Sequence, residues 1–417
     1  AGDEPCDVIV AGAPAKVYVT AARSNHIRVF DPASHALLNT ISLQGEHPRA
    51  MTTSADGSKV YVAFALSGNR TTVVSRTASV HPPAEPVVAG LPTAPRVGLI
   101  IDATDANWYP SVINYTVMDH DVAEINTATQ TVSRYFDRAG TVNLGIAVNP
   151  SSGDLFVANT NARNLVFYEQ NLRGHFVDNR ITRITTGMTP TVTPVDLNPG
   201  VDYAVLPNAN ALTTALAQPA GIVFDPSGGF MWVASFGTDR VAKVNTAGVV
   251  LNRIEIGGTP GSIQDSDHKR GPRGLALKSS ANRLYVQNRI SNTISIVDTN
   301  TATLLSELDV GTFDPTPTAI KQGRGYLYDA KLSGNGTASC ASCHVDGAVD
   351  NLAWNLGNLT GTLVSVTDPI SGTNYQMHPM KGPMVTQTLA GLKGFAPFHW
   401  RGDMPDLNAF NRNFDKL

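Results

Sequence analysis

Three cysteines in 417 residues are too few for a disulfide framework. They are also unevenly placed: Cys6 stands alone near the start, and Cys340 and Cys343 sit together near the end. Neither sign of charge dominates. Lys+Arg 31 against Asp+Glu 34 leave a net charge of -3, which excludes the basic footprint of a nucleic-acid-binding chain. Charged residues make up only 16%, below the ~25% usual in soluble domains, so the chain does not have the makeup of a disordered tail. No apolar run reaches the ~18 residues of a membrane helix. A Gly-X-Y period and sustained heptads are absent as well, which removes collagen and coiled coil. The chain opens Ala1-Gly2-Asp3-Glu4, without Met or an apolar h-region. That start fits a mature, processed N-terminus and fits a recombinant one equally.

What the chain does have is repetition. Lys16-Val17-Tyr18-Val19 recurs as Lys59-Val60-Tyr61-Val62, Asp154-Leu155-Phe156-Val157, Phe230-Met231-Trp232-Val233 and Arg283-Leu284-Tyr285-Val286. Most copies come after a turn such as Asp56-Gly57 or Ser227-Gly228, with a short apolar strand before it. An alternating strand that ends in Asn or Asp comes next, as in Asn292–Asp298. Each unit reads as strand, turn, strand, polar turn, strand, with period-2 alternation and little helix signal. Steps such as the 43 residues from Tyr18 to Tyr61 match the spacing of propeller blades, ~40–50 residues each. The longer gap from Tyr61 to Phe156 has room for a further blade around Val112–Phe136, and Gly187–Gln218 reads as a surface loop rich in turn formers. Six blades are expected before residue 315. A seventh is completed if the N-terminal strand Asp7–Ala11 closes the ring, with six or eight as the alternatives.

The units Val17-Tyr18-Val19-Thr20 with Asn25–Asp31, and Leu284-Tyr285-Val286 with Asn292–Asp298, resemble the YVTN family of seven-bladed β-propellers. The resemblance covers roughly residues 12–315 and implies a fold, not a function, because propellers host unrelated chemistries. Aromatics at the Tyr18 position are read as core.

After Pro317 the period breaks, and Gly323–Leu332 looks like the opening of a helical segment. Next comes Cys340-Ala341-Ser342-Cys343-His344. Cys-x-x-Cys-His is the spacing of covalent c-type haem attachment: two thiols add across two vinyl groups, and the adjacent imidazole ligates iron from one side. A thioredoxin-like pair would need a βαβ setting that is missing here. Zinc would need two more Cys or His at ligand spacing. Chance is the third alternative.

The residues around this motif extend the pattern. Leu332–Ser339, Val345-Asp346-Gly347, Trp354–Gly357, His378–Leu389 and Pro397–Asp403 resemble, in order, the haem domains of bacterial cytochrome c peroxidases and their MauG-like relatives. The resemblance implies a small α-helical cytochrome c domain over 321–417 behind a propeller over 1–320. It implies one haem c per chain bound by Cys340 and Cys343, with His344 as proximal ligand and Arg401 as a propionate partner. Those peroxidases carry two haems, whereas one Cys-x-x-Cys-His is present. The resemblance also expects the domain to run on past Asn413–Leu417, so the haem site is expected to be completed there or by a partner chain. Met384, Met380, His378 and His399 are the candidates for sixth ligand. Met would favour electron transfer, and an open or displaceable position would favour peroxide. As alternatives, a Met beside Pro is packing, and His399 serves only a hydrogen bond.

Asp346, Asp350 and Asn351 have the oxygen chemistry of a calcium site, set against a plain solvated turn. His26, His35, His47, His81, His120, His175 and His268 show no ligand spacing, and Cys6 reads as a lone thiol or an intermolecular bridge. The expectation is a periplasmic or extracellular c-type cytochrome that exchanges electrons with a redox partner protein, without nucleic acid or membrane span. The rivals are a peroxidase or MauG-like oxidoreductase and a ligand-binding surface propeller with accessory haem. A quinone-dependent dehydrogenase is disfavoured because Trp108, Trp232, Trp354 and Trp400 do not recur at blade spacing.

Overall fold

The computed structural model describes residues 3–78, 87–95, 97–257, 265–368 and 370–410. His81 and Asn413–Leu417 lie outside the described residues. The fold is mainly β and propeller-like. Among the described residues there are five four-stranded antiparallel sheets, each formed of strands that run from inside to outside in chain order. The first holds Pro5–Ala11, Lys16–Ala21, His26–Phe30 and Leu37–Ser42. The second holds Glu46–Thr53, Lys59–Leu66, Val122–Asn126 and Thr131–Phe136. The third runs Val142–Val148, Leu155–Ala162, Val177–Ile184 and Val192–Asp196. The fourth is Pro219–Phe224, Phe230–Ser235, Arg240–Asn245 and Val250–Glu255, and the fifth Pro272–Lys278, Arg283–Asn288, Thr293–Asp298 and Thr303–Asp309.

The repeated residues explain the repeated shape. At the first hairpin of the second, third and fourth sheets, Gly57, Gly153 and Gly228 take φ of 69°, 75° and 74°, which a β-carbon would strain. At the end of the third strand, Asp31, Asn126, Asn245 and Asp298 each accept two backbone N–H bonds from the adjoining turn, so the polar residue makes the turn. Inner strands come so close that a β-carbon on Gly145 would overlap the carbonyl of Ala220, and one on Gly221 that of Arg273.

The aromatic column welds each sheet to the next. Tyr18 packs with Val60 and Val62, Tyr61 with Leu155 and Val157, Phe156 with Met231 and Val233, and Trp232 with Leu284 and Val286. The four interfaces join five sheets in a row.

Two expectations from the repeat are corrected by the pairing. The stretch Val112–Phe136 is no separate blade: Val122–Asn126 and Thr131–Phe136 are the outer half of the second sheet, where Val60, Tyr61 and Val62 pair with Ile125, Glu124 and Ala123. An insertion splits that sheet. It carries a hairpin of Thr71–Val74 with Leu99–Asp102 and a small core of its own around Leu99, Ile101 and Ile113. The N-terminal strand does not complete a last blade either. Val8 and Val10 pair with Val19 and Val17, so Pro5–Ala11 is the inner strand of its own sheet. Within Gly187–Gln218, Val192–Asp196 is a sheet strand and Ala209–Thr214 a short helix, capped by the Asn208 side chain on the Ala211 N–H.

Beyond the fifth sheet, the expected helical segment is met by Thr318–Tyr328 alone. The rest of the segment is a chain of one-turn 3-10 helices and two short ladders, Ala353–Asn355 with Pro383–Val385 and Val364–Thr367 with Asn374–Met377. Glycines explain it: Gly336, Gly347, Gly382, Gly391, Gly394 and Gly402 all sit at positive φ and interrupt any helix. As far as Asp346 this segment lies back over the fourth, third and second sheets in turn. The Ser266 hydroxyl donates to Asp329 (2.7 Å), and the Ala330 N–H to the Gly237 carbonyl (2.9 Å). The amides of Asn179 and Asn164 donate to the Thr337 and Ala353 carbonyls, and Arg49 of the second sheet pairs with Asp346. Buried Lys269 bridges toward Asp239 (3.1 Å) and Asp329 (3.9 Å).

Candidate functional site

Cys340–Ser342 forms a single 3-10 turn closed by a reciprocal cap. The Ser339 N–H donates to the Ser342 hydroxyl, and the Ser342 N–H to the Ser339 carbonyl, both at 3.0 Å. The His344 N–H donates to the Cys340 carbonyl at 2.9 Å, so both cysteines and the histidine belong to one compact loop. The cysteines are free thiols and half-buried. Burial pushes Cys340 up to about 11 and holds Cys343 well above its usual value, with Asp350 and Cys340 adding repulsion there. Thiols held this way are protonated and weak nucleophiles.

The wall against which Cys343 packs is apolar: Leu172, Phe176 and Ala162 from the third sheet and its loop, with Leu352, Trp354 and Leu356 from the segment itself. Behind that wall, buried Asp350 accepts from Trp354 Nε1 (2.8 Å) and the Leu352 N–H (3.0 Å). Burial raises its carboxyl against those bonds. A cleft of about 580 Å³ between outer strands of the first and second sheets does not border the cysteines.

His344 Nδ1 lies 2.7 Å from the Gln387 carbonyl oxygen. A main-chain carbonyl only accepts, so Nδ1 carries a proton, and in the neutral ring Nε2 then holds the lone pair. An imidazole that ligates a metal is held in this way by its other nitrogen. The donor set therefore fits a c-type haem: two thiols and an oriented imidazole beside an apolar wall. Sequence reasoning missed Gln387, since a carbonyl has no side-chain signature.

The other site candidates separate. His378 has both ring nitrogens engaged: Nε2 at 3.1 Å from the Pro92 carbonyl, and Nδ1 accepting from the Met380 N–H at 3.1 Å. Met380 is buried in a cluster with Val88 and Ala94. Met384 pairs across the ladder with Trp354, three residues before Gln387, and so belongs to the strand that backs His344. His399 is exposed, and its Nδ1 meets Asp403 at 2.8 Å, which lowers the Asp403 carboxyl. Arg401 donates to the His378 carbonyl (2.8 Å), so its fork is partly engaged.

The suggested calcium oxygens do not converge. Asp346 faces Arg49 and the Tyr328 hydroxyl, Asp350 faces Trp354, and Asn351 donates to Glu46. Among the described residues no group of three or more His, Cys, Asp or Glu is placed to hold a metal ion. Cys6 is exposed. His120 and His175 stack on Tyr135 and Tyr203 and bond Asp137 and Asp178, which are structural roles.

A family model described as "Lactonase, 7-bladed beta-propeller" matches residues 206–344, about a third of the chain. No curated protein matches. Solved structures that the chain is similar to include the β-propeller domain of Cps50 (Swd1) from Myceliophteria thermophila, 10% identical with a TM-score of 0.43 over 76% of this chain and 71% of that one. Hydrazine synthase of Kuenenia stuttgartiensis is 15% identical with a TM-score of 0.38, covering 71% and 83%. A catalytically inactive virginiamycin B lyase of Staphylococcus aureus with quinupristin is 15% identical with a TM-score of 0.41, covering 76% and 71%.

Proposed function

We propose that this chain is a c-type cytochrome of the periplasm or cell exterior. In this reading, residues 1–320 are a docking scaffold for a redox partner protein, and 321–417 hold one haem. The observation that supports it most is the loop Cys340–His344, with His344 Nδ1 tied to Gln387 and Nε2 left free. The five sheets are read as part of a seven-bladed ring, in keeping with the family model over 206–344.

When bound, haem supplies an iron that gains and loses one electron. The chain's own contribution is attachment, orientation and exclusion of water. Cys340 and Cys343 would hold the group through two thioethers, each S–H adding across one vinyl group so that a C–S and a C–H bond replace the S–H bond and the C=C π bond, with no outside oxidant needed. His344 brings Nε2 as a neutral donor held by the Gln387 carbonyl. Leu172, Phe176 and Trp354 keep the face of the site dry, which tunes potential.

The test is expression with a c-type maturation system, then intact mass and ferric and ferrous spectra before and after peroxide. A covalent haem adduct that is low-spin and inert to peroxide is the expected result. A high-spin ferric signal altered by peroxide would turn the reading to a peroxidase, and no adduct would end it.

A further inference from the structure

The inner strand of each sheet breaks register near its start. The breaks fall between Pro5 and Val8, Pro48 and Met51, Asn143 and Gly145, Pro219 and Ile222, and Pro272 and Gly274. A residue in such a bulge leaves the alternation of its strand, and its side chain is re-aimed. In the third and fourth sheets the bulge residues include Leu144 and Ala220. Tyr328 packs in one cluster with them and stands edge-on to Phe236, with ring centroids 4.9 Å apart. In the second and fifth sheets the bulge residues include Arg49 and Arg273. The cysteine-bearing segment meets both halves at once. The Tyr328 hydroxyl donates to Asp346 Oδ1 at 3.0 Å, and Arg49 pairs with Oδ2, with Arg273 within electrostatic reach.

Arg49 is 6% exposed, and its Nε is buried without a hydrogen-bond partner. Glu4 lies farther off, at 3.6 Å, and is itself paired with Arg23 at 2.9 Å. The guanidinium is thus committed to Asp346, two residues after His344. Asp346 takes φ of 53°, a left-handed conformation that costs a residue with a β-carbon, and it supplies the only polar side chain of the turn Val345–Gly347. That turn is laced to the chain that holds the imidazole. The Gly347 N–H donates to the His344 carbonyl and the Leu389 N–H to the Gly347 carbonyl, both at 2.9 Å. Leu389 is two residues beyond Gln387, whose carbonyl meets His344 Nδ1. Where the turn sits therefore decides how the ring meets that carbonyl.

We propose that Arg49 is a positioning residue for His344. By fixing Asp346 against the second sheet, it keeps the imidazole on the Gln387 carbonyl and so keeps Nε2 the unprotonated nitrogen. The use of that nitrogen as an iron ligand rests on the cytochrome reading above; the tie itself does not.

Nitrogen-15 NMR of the full chain with labelled histidine, without haem and at mildly alkaline pH, tests this. The His344 signal is identified by its loss in His344→Ala. The parent should hold His344 in the Nδ1–H form. Arg49→Met should lower the ratio of Nδ1–H to Nε2–H forms roughly fivefold, the net worth of one hydrogen bond. His120 and His175, bonded to Asp137 and Asp178, should keep their signals. Should that variant fail to fold, Arg49→Met with Asp346→Asn leaves no buried charge unpaired and should show the same fall. A parent-like ratio in either folded variant would overturn the proposal. So would a fall matched by equal disturbance of His120 and His175, which would make Arg49 a general prop. Because the tautomer is read without haem, a chain that takes up none ends the cytochrome reading while this inference is still decided.

Discussion

His344 Nδ1 and the carbonyl oxygen of Gln387 are 2.7 Å apart across 43 positions of sequence, and the bond is made by main chain on one side. Replacing the Gln387 side chain should therefore change little. Gln387→Ala is expected to keep the ferric spectrum of the haem-loaded protein, whereas His344→Ala should abolish its normal ligand field while circular dichroism still reports the sheets. Equal spectral loss in both variants would show that the orientation comes from elsewhere.

Asp350 lies behind the cysteine loop as the acceptor for the indole of Trp354. Asp350→Ala would strand a buried N–H, at a cost of roughly 1–3 kcal/mol. Asp350→Asn keeps an acceptor and should lose less than half as much. Urea unfolding monitored by tryptophan fluorescence gives both numbers, and an unchanged midpoint in the alanine variant would show the bond to be worth nothing net.

Asp119 predicts a pH dependence. Its buried carboxyl, close to Asp121 and only partly offset by Arg70, is pushed up to about 7, and Oδ1 has no hydrogen-bond partner. The folded state holds this proton more tightly than the unfolded chain. Stability from it is thus full below about pH 4 and falls as pH rises through about 7, by roughly 4 kcal/mol at most. Asp119→Asn should flatten that fall and be more stable than the parent at pH 8 in chemical denaturation.

Gly221 sits where its neighbour's inner strand passes, and a β-carbon there would overlap the Arg273 carbonyl. Gly221→Ala should cost about 3 kcal/mol or more, since backbone and not a side-chain tip must shift. Gly187→Ala, with open space around it, is the control and should be near neutral in thermal unfolding.

The strands were legible because each carries its own signal. The aliphatic–aromatic–aliphatic core of every second strand, and the Asn or Asp that turns the third strand, are local patterns that the structure repeats residue by residue. The count of blades was not legible. Lys59–Leu66 and Val122–Asn126 are neighbours in one sheet, yet the insertion between them is as long in sequence as a blade, and spacing alone cannot tell the two apart. The cysteine loop was visible as a motif, while Gln387 and Asp119 were not, because a carbonyl and a desolvated carboxylate acquire their character only from what surrounds them. The expected helices after Gly323 failed for the opposite reason: one good helix was extended into a stretch where glycines at positive φ decide the backbone.

The segment from Asp329 to Asp346 touches the fourth, third and second sheets, against the direction in which the chain built them. The two junctions among those three sheets are hinges, each able to splay a little outward. A cord tied across them on one side works as a bowstring does. It sets one curvature for the three sheets, so that an opening at one junction must stretch contacts at the other. Cutting the chain near Phe313 would leave the string in place, whereas losing its end ties at Gly237 and Arg49 would let the three sheets relax.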